Sequence, residues 1–473
     1  MPARGSRRAK LLRSFSHRLP RQRADADAMR LARHSYATIF RLQGPLVFLD
    51  RVAAARMGEV VRISFPDGRE ADGEVLKIDG ETVLIEVVGE SRGLDVAHSR
   101  VLFTDAVKRA PLSPAALGRV FNGSFAALDD RPMFVPEEWA PVAGFPINPV
   151  ARERPQDIIA TGLSTIDGLN TLVEGQKLPI FSCAGLPSRE IAASILAYAR
   201  AGAQEEASSS SIVVFVALGL SQHDYAYYRG VLEGTRGDFV AFINLAKDPV
   251  VERLLAPRFG LTVAEYFAFV HGRDVLVVIS DMTNYCDALR EVSTAREELP
   301  GRRGYPGYMY SDLASLYERA GRIKGVTGSV TMLPILTMPE DDITHPIPDL
   351  TGYITEGQIV LSRELHQRAI FPPVDVLPSL SRLMQRGIGK GRTREDHRAI
   401  ANALYMNYAS GRDLRRLEAI IGREGMSEAD RHLLDFADAF EQEVVHQGSA
   451  RRSVAETLDA SKRLLERFGL AGA

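Results

Sequence analysis

A short loop in the middle of the sequence has the place and the small residues of a phosphate-binding loop. It comprises residues 182–189 and lies between an apolar run and a stretch with helical periodicity. Backbone N–H groups at a helix N-terminus bind anions, so a tight loop between a strand and a helix is where a triphosphate would bind. A working loop has the pattern G-x-x-x-x-G-K-[ST], in which the lysine contacts the terminal phosphates and the hydroxyl binds Mg²⁺.

The loop lacks most of the groups that this chemistry needs. Gly185 is its one glycine, because Ser182 and Pro187 stand at the two glycine positions of the pattern. Ser188 stands at the lysine position and Arg189 at the hydroxyl position. Pro187 also removes a backbone N–H that a bound phosphate would need. We therefore interpret residues 182–189 as a degenerate P-loop, and we expect that this chain alone neither binds a nucleotide tightly nor hydrolyses ATP.

The residues that follow two other apolar runs also bear on nucleotide chemistry. Asp281 follows the run 274–280, at the position where an NTPase places the aspartate that binds Mg²⁺. Because the phosphate loop is incomplete, we favour a structural role for Asp281 as the cap of the next helix. Gly219 follows the run 212–218 and precedes Leu220, so the carboxylate that would orient an attacking water is missing.

These residues stand at the ends of elements that alternate between short apolar runs and helical periodicity. Apolar strands separated by helices predict a parallel sheet covered on both faces, in which ligands bind beyond the carboxyl ends of the strands. We predict strands at residues 178–183, 212–218, 241–245, 275–280 and 330–336, and helices at 189–203, 250–270, 287–298 and 311–322. Residues 107–388 are thus predicted to form a nucleotide-binding-like α/β domain. The first part of this range, residues 107–150, is rich in proline and is predicted to be an irregular linker.

Two smaller domains flank this region. Residues 36–106 contain the alternating runs 59–65 and 81–88 and three Asp-Gly turn signals, which predict a small β-barrel. Small barrels often bind oligonucleotides, but eight basic and twelve acidic residues give this segment the wrong charge for that role. In residues 389–473, the helical runs 413–421, 428–445 and 453–468 predict a small α-helical bundle.

The composition is that of a globular chain without a disulfide scaffold. The net charge of −2 over 473 residues argues against a protein that binds nucleic acid with its whole surface. Two cysteines, Cys183 and Cys286, suit a reducing compartment. The longest apolar run is far shorter than the roughly 20 residues that cross a bilayer, so we expect any membrane role to depend on partners.

The N-terminal segment differs from the rest in charge. Residues 1–34 carry ten Lys and Arg and two Asp, a net charge of +8. We predict that residues 1–35 form a disordered basic extension, because the segment is too poor in apolar residues to form a core. A transit peptide is one interpretation of such a segment. We favour another, in which Met29 is the true start and the residues before it are a misassigned extension.

Six stretches of the sequence resemble the B subunit of V-type and archaeal-type (A-type) rotary ATPases. The resemblance runs from about residue 36 to the C-terminal helices, and stretches of this length are far more specific than a single glycine motif. They are TGLSTIDGLNTL at 161–172, QKLPIF at 176–181, DMTNYC at 281–286, GRRGYPGYMY at 301–310, HPIPDLTGY at 345–353 and PSLSRLM at 378–384. Cys183 and Arg189 depart from the loop of the family without restoring a phosphate site.

The resemblance implies a P-loop NTPase-like (RecA-like) central domain and a ring in which three A and three B subunits alternate around a central shaft. The A subunit carries the working phosphate loop, and the B subunit is non-catalytic and regulatory. ATP or ADP and Mg²⁺ are then expected at the interface with the A subunit, with shaft and peripheral-stalk subunits as further partners. The complex couples ATP synthesis or hydrolysis to proton or sodium transport. The chain is expected on the cytoplasmic face of a membrane through that complex, with no metal site of its own and no direct contact with nucleic acid.

One arginine carries the chemistry that the resemblance implies for this chain. In the family, the S-L-S-R motif, here residues 379–382, supplies an arginine to the ATP of the neighbouring subunit. Arg382 is thus expected to act in trans as an arginine finger, with Ser381 at the same interfacial nucleotide. Such an arginine stabilises the charge on the transferred phosphoryl group and contributes on the order of 10³–10⁵ in rate. The alternative is a surface arginine in a basic patch with Arg386, Lys390, Arg392 and Arg394.

Two other functions stay open from the residues alone. The first is a ring-shaped, nucleic-acid-dependent ATPase of the same core fold, such as a transcription-termination helicase. The degenerate loop and the acidic barrel both argue against it. The second is a freestanding nucleotide-sensing module, which ATP binding by the isolated chain would favour.

Overall fold

The chain divides into two units, with the boundary after Lys108. The computed structural model describes residues 34–88, 91–155, 157–198, 200–201, 212–234 and 238–470. Residues 1–33 of the extension predicted at 1–35, with Met29, lie outside these described residues, and so do residues 199 and 202–203 of the helix predicted at 189–203. The predicted extension is too long at its end, because Ser35 already belongs to a strand of the first unit. Within the described ranges, no helix is both long and apolar enough to cross a bilayer.

The first unit is an antiparallel sheet that wraps around its own core. Its strands are β1 (Ser35–Tyr36), β2 (Ile39–Gln43), β3 (Leu46–Leu49), β4 (Glu59–Ser64), β5 (Glu70–Asp79), β6 (Thr82–Val88) and β7 (Arg100–Val107). They are hydrogen-bonded in the order β1-β7-β4-β5-β6-β3-β2. Residues from central and outer strands alike, such as Ile39, Val61 and Val83, share one buried cluster. The predicted β-barrel is therefore confirmed.

One of the three Asp-Gly turn signals in the barrel was wrong. Gly68 and Gly80 are in turns and have positive φ angles of 86° and 61°. Gly73 lies instead inside strand β5, opposite β6. A Cβ at Gly73 would lie 2.9 Å from Cγ2 of Ile85, so the glycine is needed there for close packing against the core.

The second unit is built on a mixed sheet that has ten strands in the described part of the chain. The strands of this unit are β8 (Arg109–Leu112), β9 (Arg119–Asn122), β10 (Glu138–Pro141), β11 (Arg152–Glu153), β12 (Ile159–Ala160), β13 (Ile180–Cys183), β14 (Arg200–Ala201), β15 (Ile212–Leu220), β16 (Asp238–Leu245), β17 (Asp274–Ser280), β18 (Gly321–Ile323), β19 (Ser329–Met338), β20 (Gly357–Leu361) and β21 (Val374–Ser381). The sheet has the order β21-β20-β13-β19-β17-β15-β16-β9, and β11 and β18 attach beside β19.

The sheet is parallel from β9 to β20, and β21 runs antiparallel at its edge. Every neighbouring pair between β9 and β20 in this order is parallel. Strand β21 pairs antiparallel with β20, and Ser381 at its end is opposite Gly357 at the start of β20. Strand β17 is buried at six of its seven residues, which means that both faces of the sheet are covered.

The five strands predicted for this sheet are all present, but the prediction missed its other five, β9, β11, β18, β20 and β21. Strands β20 and β21 were not anticipated, and β9 lies in the segment 107–150 that was expected to be irregular. That expectation is corrected, since β9 adds a parallel edge strand next to β16, and β8 pairs with β10. Pro378 hides β21 in the sequence, and an edge strand tolerates a proline because one side of it has no ladder to complete.

Helices connect the strands and form the C-terminal domain. They are α1 (Ser164–Leu169), α2 (Ser188–Tyr198), α3 (Gln222–Gly234), α4 (Val250–Glu265), α5 (Met282–Ala295), α6 (Met309–Tyr317), α7 (Pro346–Ile354), α8 (Arg363–Gln367), α9 (Met384–Gly387), α10 (His397–Ile421), α11 (Glu428–Phe440) and α12 (Val454–Arg467). Helix α5 starts earlier than predicted because Asp281 caps it. The helix predicted at 311–322 was too long, since Gly321–Ile323 forms strand β18.

The C-terminal helices share a core with the edge of the sheet. Apolar residues of α10, α11 and α12 pack in one cluster with residues in and beside strands β12 and β21. This cluster includes Ile158, Ile370, Val376, Leu404, Phe436 and Leu458. The predicted helical domain is confirmed, and its core fixes it to the side of the sheet that carries β21.

A glycine at the start of β20 sets the path of the neighbouring strand, and we predict that it tolerates no side chain. Gly357 has a φ of 144°, and a Cβ there would overlap the carbonyl oxygen of Leu380 on β21. We expect Gly357→Ala to lower the free energy of unfolding by on the order of 1–3 kcal/mol, measured by denaturant or thermal unfolding. The matched control is Gly352→Ala on α7, where the nearest atom would be 3.9 Å away. Equal stability of the two variants would contradict this prediction.

Candidate functional site

A cavity of about 540 Å³ lies beyond the carboxyl ends of strands β13, β15 and β17. This is the position in which parallel sheets bind ligands. The loop from Gly185 to Glu190 forms one wall, and the residues that follow β15 and β17 form the others. The degenerate P-loop therefore lies where the sequence placed it, at the site that would hold a nucleotide in a working enzyme of this fold.

The backbone of the loop offers little to a phosphate. Gly185 has a φ of 80°, which turns the chain sharply after β13. The N–H of Leu186 then donates to the carbonyl of Cys183 at 3.1 Å, and the N–H of Ser188 donates to the carbonyl of Leu186 at 2.8 Å. Pro187, between them, has no N–H. Three consecutive positions at the start of α2 are thus without the free donors on which anion binding depends.

The side chain at the hydroxyl position is an arginine that is already paired. Arg189 donates from Nη1 to Asp224 Oδ1 at 2.7 Å and from Nη2 to Glu190 Oε1 at 2.7 Å. Its guanidinium carbon also lies 4.5 Å from the ring centre of Tyr227. Although burial alone would raise it, hydrogen bonds from Ser221 and Arg189 hold the pKa of Asp224 below its ordinary value. The positive charge of Arg189 is therefore neutralised within the chain.

The carboxylates around the cavity outnumber its arginine. Glu190, Asp224 and Asp281 line it together with Arg189. A polyphosphate would bring further negative charge to this wall, and each like-charge contact in a partly buried site is unfavourable. The wall of the cavity carries more acidic than basic side chains among these residues.

Asp281 is bound to the chain itself at both of its oxygens. Its Oδ1 accepts from the N–H of Thr283 at 2.8 Å and caps helix α5. Its Oδ2 accepts from the hydroxyl of Thr337 at 2.5 Å, and Oδ1 also accepts from the N–H of Thr337 at 3.2 Å. Burial raises the pKa of Asp281. This geometry agrees with the structural interpretation of Asp281 as a helix cap.

The position of the water-orienting carboxylate holds no acid. Strand β15 continues through Gly219 to Leu220, and Gly219 has a φ of 68°. The amide of Asn284 donates to the carbonyl of Leu218 at 2.8 Å and closes this corner of the cavity. No carboxylate follows Gly219 directly, so the third hydrolytic group is missing from the site.

Arg382 lies at the other end of the sheet. It follows Ser381, which is opposite the first residue of β20, so it stands at the amino ends of the parallel strands. The degenerate loop stands at their carboxyl ends. Strand β20 has five residues, so at about 3.3 Å per residue the two places are separated by roughly 15 Å along the strands. Arg382 therefore does not face the cavity of its own chain.

The guanidinium group of Arg382 has few contacts. Its side chain is exposed, and Nη1 approaches the carbonyl of Thr355 at 3.5 Å, which is a weak contact. Among the residues that the structure describes, no carboxylate pairs with it. In the surrounding basic patch, Arg394 is paired with Asp396 and Asp459, whereas Arg386 is exposed like Arg382. Arg382 thus presents a free positive charge to whatever lies beside this edge.

Ser381 is buried, and its hydroxyl is used within the chain. It donates to the carbonyl of Thr171 at 3.0 Å and accepts from Nε2 of Gln176 at 2.9 Å. The assignment of Ser381 to an interfacial nucleotide stays a prediction, and these two hydrogen bonds favour a role in holding the strand. Sequence reasoning missed Gln176 and Asp224 as partners, because each lies far along the chain from the residue it contacts.

Metal chemistry at this site would need a cluster of ligand side chains, and thiol chemistry would need one of the two cysteines. The described residues contain no group of three or more His, Cys, Asp or Glu that could hold a metal ion. Cys183 and Cys286 are free and buried. Burial, helped by the carboxylate of Asp341, raises the pKa of Cys183 to about 11. A thiol with such a pKa is a poor nucleophile near neutral pH.

Comparison with known proteins gives this fold a class. Residues 39–105 match the β-barrel domain of the ATP synthase alpha/beta family, and residues 162–381 match the nucleotide-binding domain of that family. Residues 386–470 match the C-terminal domain of V and A type ATP synthase. The fold and the site together therefore define an ATP synthase alpha/beta subunit of the V and A type.

Relatives of this chain narrow the class. The V-type ATP synthase beta chain of Geotalea uraniireducens is 69% identical over 445 residues, which cover 94% of this chain and 100% of the relative. The V-type ATP synthase beta chain of Thermus thermophilus is 51% identical over 443 residues, which cover 92% of this chain and 93% of the relative. A solved structure described as a unique ATP synthase subunit NeqB from Nanoarcheaum equitans is 35% identical with a TM-score of 0.70, and covers 90% of this chain and 99% of that one. This chain belongs to the family of V-type ATP synthase beta chains, and this membership argues against a nucleic-acid-dependent ATPase.

We predict that Asp281 contributes to the stability of the chain as a helix cap and is not needed for ATP hydrolysis. Asp281→Ala should lower the free energy of unfolding by about 1–2 kcal/mol, because helix α5 loses its cap. Asp281→Asn should cost less, since its amide oxygen can still accept from Thr283, and the assembled complex should keep its wild-type ATPase rate. Thermal unfolding and ATPase assays of both variants test this. Loss of ATPase activity in a stable Asp281→Asn complex would instead indicate a Mg²⁺ ligand.

Proposed function

We propose that this B subunit of a V/A-type ATP synthase is non-catalytic and regulatory, and that it supplies Arg382 in trans to ATP held by a neighbouring catalytic A subunit. The observation that carries the proposal is the position of Arg382. It is exposed, unpaired with any described carboxylate, and at the end of the sheet opposite the loop of its own chain. An arginine in that position has no catalytic partner within the chain, and a site on a neighbour gives it one.

The degenerate loop supports the non-catalytic part of the proposal. The residues of the cavity do not fit Mg²⁺–ATP, because Arg189 replaces the hydroxyl ligand and both oxygens of Asp281 are bound to the chain. Three successive positions of the loop lack a free N–H. We therefore assign tight binding of ATP or ADP and of Mg²⁺ to the interface with the catalytic subunit, and no step of hydrolysis to this cavity.

The chemistry of arginine suits the role that we propose for Arg382. Phosphoryl transfer spreads negative charge over the equatorial oxygens of the transferred group. A guanidinium is permanently charged, and its planar fork can bind two of these oxygens at once. At an interface that excludes part of the water, this attraction is stronger than at an open surface. Arg382 would therefore stabilise the transition state more than the bound substrate.

The same proposal includes the assembly and its location. We propose an alternating ring of three A and three B subunits around a central shaft, with peripheral-stalk subunits as further partners. In this ring ATP synthesis or hydrolysis is coupled to proton or sodium transport. The chain would reach the cytoplasmic face of the membrane only through the complex, without direct contact with nucleic acid.

We predict that the purified chain alone does not hydrolyse ATP. Ser188 and Arg189 replace the lysine and the hydroxyl, so nothing in the cavity binds the terminal phosphates or Mg²⁺. Release of phosphate from Mg²⁺–ATP should stay at the buffer background. Ser188→Asp is the control, because a negative charge in the loop would abolish any activity that arises there. Turnover that Ser188→Asp removes would contradict the non-catalytic assignment.

We predict that Arg382→Ala assembles into the complex but lowers its ATP turnover by on the order of 10³–10⁵, as expected for the loss of an arginine supplied in trans. Arg382→Lys should also be strongly impaired, because it keeps the charge but loses the fork. Turnover is measured on purified complexes, whose subunit composition is checked by native mass spectrometry.

The matched control is Arg386→Ala, since Arg386 is exposed in the same basic patch four residues further on. It should turn over ATP at nearly the wild-type rate. If both arginines served only as a basic surface, the two alanine variants would behave alike. An assembled Arg382→Ala complex with turnover within about threefold of wild type would overturn the assignment.

A further inference from the structure

We propose that Gln176 is a positioning residue for Arg382, acting through Ser381 and the backbone of Glu356. The inference rests on the proposed function of Arg382 and assigns a role to a buried side chain that touches no nucleotide. Gln176 lies just before β13, far from Arg382 along the chain. In the folded protein, its amide joins the two segments that flank the arginine.

The side chain of Gln176 is completely buried, and its polar atoms are all engaged. Its Oε1 accepts from the N–H of Val173 at 3.0 Å. Its Nε2 donates to the carbonyl of Glu356 at 3.1 Å and to the hydroxyl of Ser381 at 2.9 Å. One amide group thus bridges the residue before Arg382 and the strand next to it, and a buried polar group of this kind holds a single geometry.

The carbonyl of Glu356 is the point where this bridge meets Arg382. It also accepts the backbone N–H of Arg382 itself, at 3.0 Å. The carbonyl of Thr355, one residue earlier, is the acceptor that Nη1 of Arg382 approaches. The backbone N–H of Arg382 is therefore hydrogen-bonded to the segment 355–356, and its guanidinium lies near the same segment. Whatever fixes residues 355–356 fixes the backbone of the arginine.

A buried lysine also contacts the same segment. The N–H of Lys177 donates to Oε2 of Glu356 at 2.8 Å, and its Nζ lies 2.9 Å from Oε1 of that carboxylate. Nζ also lies 2.9 Å from Oε1 of Glu318, and the side chain of Lys177 is only 2% exposed. Two consecutive residues therefore bind Glu356: Gln176 binds the carbonyl of Glu356, and Lys177 binds the carboxylate of Glu356.

Because the guanidinium of Arg382 has only weak contacts, its position depends on the hydrogen bonds that hold the backbone of the same residue. Arg382 has no described carboxylate that could hold its side chain in place. The position of its charge therefore depends on where its backbone lies. In an active site, a misplacement of about 1 Å can lower the rate by about 10²-fold. A residue that fixes the backbone of Arg382 should accordingly affect the chemical step and leave the binding of ATP unchanged.

Two variants of the assembled complex test the proposal. Gln176→Met keeps the volume of the side chain and removes its donors, and Ser381→Ala removes the hydroxyl between Gln176 and Thr171. For each we expect kcat for ATP hydrolysis to fall about tenfold or more while KM for ATP stays within about twofold. A rise in KM with an unchanged kcat would mean that Ser381 contacts the nucleotide, and would overturn the proposal. If Gln176→Met does not assemble, Ser381→Ala decides the outcome.

A double-mutant cycle separates positioning from general loss of stability. In complexes that already carry Arg382→Ala, Gln176→Met or Ser381→Ala should lower kcat by less than about twofold further, because no arginine is left to position. An equal fall in both backgrounds would overturn the proposal. Thr457→Val is the control, since it removes another buried hydroxyl bond, to Ser164 in the C-terminal core, and should not change kcat.

The same measurements distinguish this inference from the proposed function. If Arg382→Ala alone leaves kcat near the wild-type value, the role of Arg382 in trans has failed, and the positioning role fails with it. If Arg382→Ala is severe while Gln176→Met and Ser381→Ala both keep the wild-type kcat, the arginine finger stands and the positioning role of Gln176 is contradicted.

Discussion

The antiparallel pairing of β21 with β20 is the constraint on which the rest of this structure depends. The seven parallel strands of the sheet point their carboxyl ends to one edge, where the cavity lies; they are β9, β16, β15, β17, β19, β13 and β20. Strand β21 runs the other way and carries Arg382 to the opposite edge. A single reversal of strand direction thus separates the cavity beside Gly185 from the exposed arginine. Gly357 permits this pairing by letting β21 pass close to the start of β20.

The polar contacts at the two edges of the sheet differ. At the carboxyl edge, Pro187 and the bent loop leave few free N–H donors, and Arg189 and Asp224 form an internal ion pair. Such a pair is costly to break, because separating it leaves a partly buried charge without a partner. At the amino edge, Gln176 and Lys177 supply hydrogen bonds and charge that hold the backbone next to Arg382. The carboxyl edge thus holds an internally paired loop, whereas the amino edge presents one exposed arginine.

Local patterns predicted most of the fold and the defects of the loop, and contacts between distant residues account for what they missed. Apolar runs marked β13, β15, β16, β17 and β19 because each is buried on both faces. Strand β21 was not predicted, because Pro378 and the polar residues of this segment are typical of a loop. Only the pairing with β20 makes the segment a strand. The departures at Ser188 and Arg189 can be read from the motif itself. The partners cannot, since Asp224 lies 35 residues from Arg189 and Ser381 lies 205 residues from Gln176.

A structure of the assembled complex with Mg²⁺ and a non-hydrolysable ATP analogue tests the central claim most directly. The account predicts that the guanidinium of Arg382 lies within hydrogen-bonding distance of the terminal phosphate of an analogue held by the neighbouring subunit. It also predicts that no nucleotide occupies the cavity beside Gly185. The account would be contradicted by an analogue bound in that cavity, or by an Arg382 that points away from the neighbour's nucleotide at every interface of the ring.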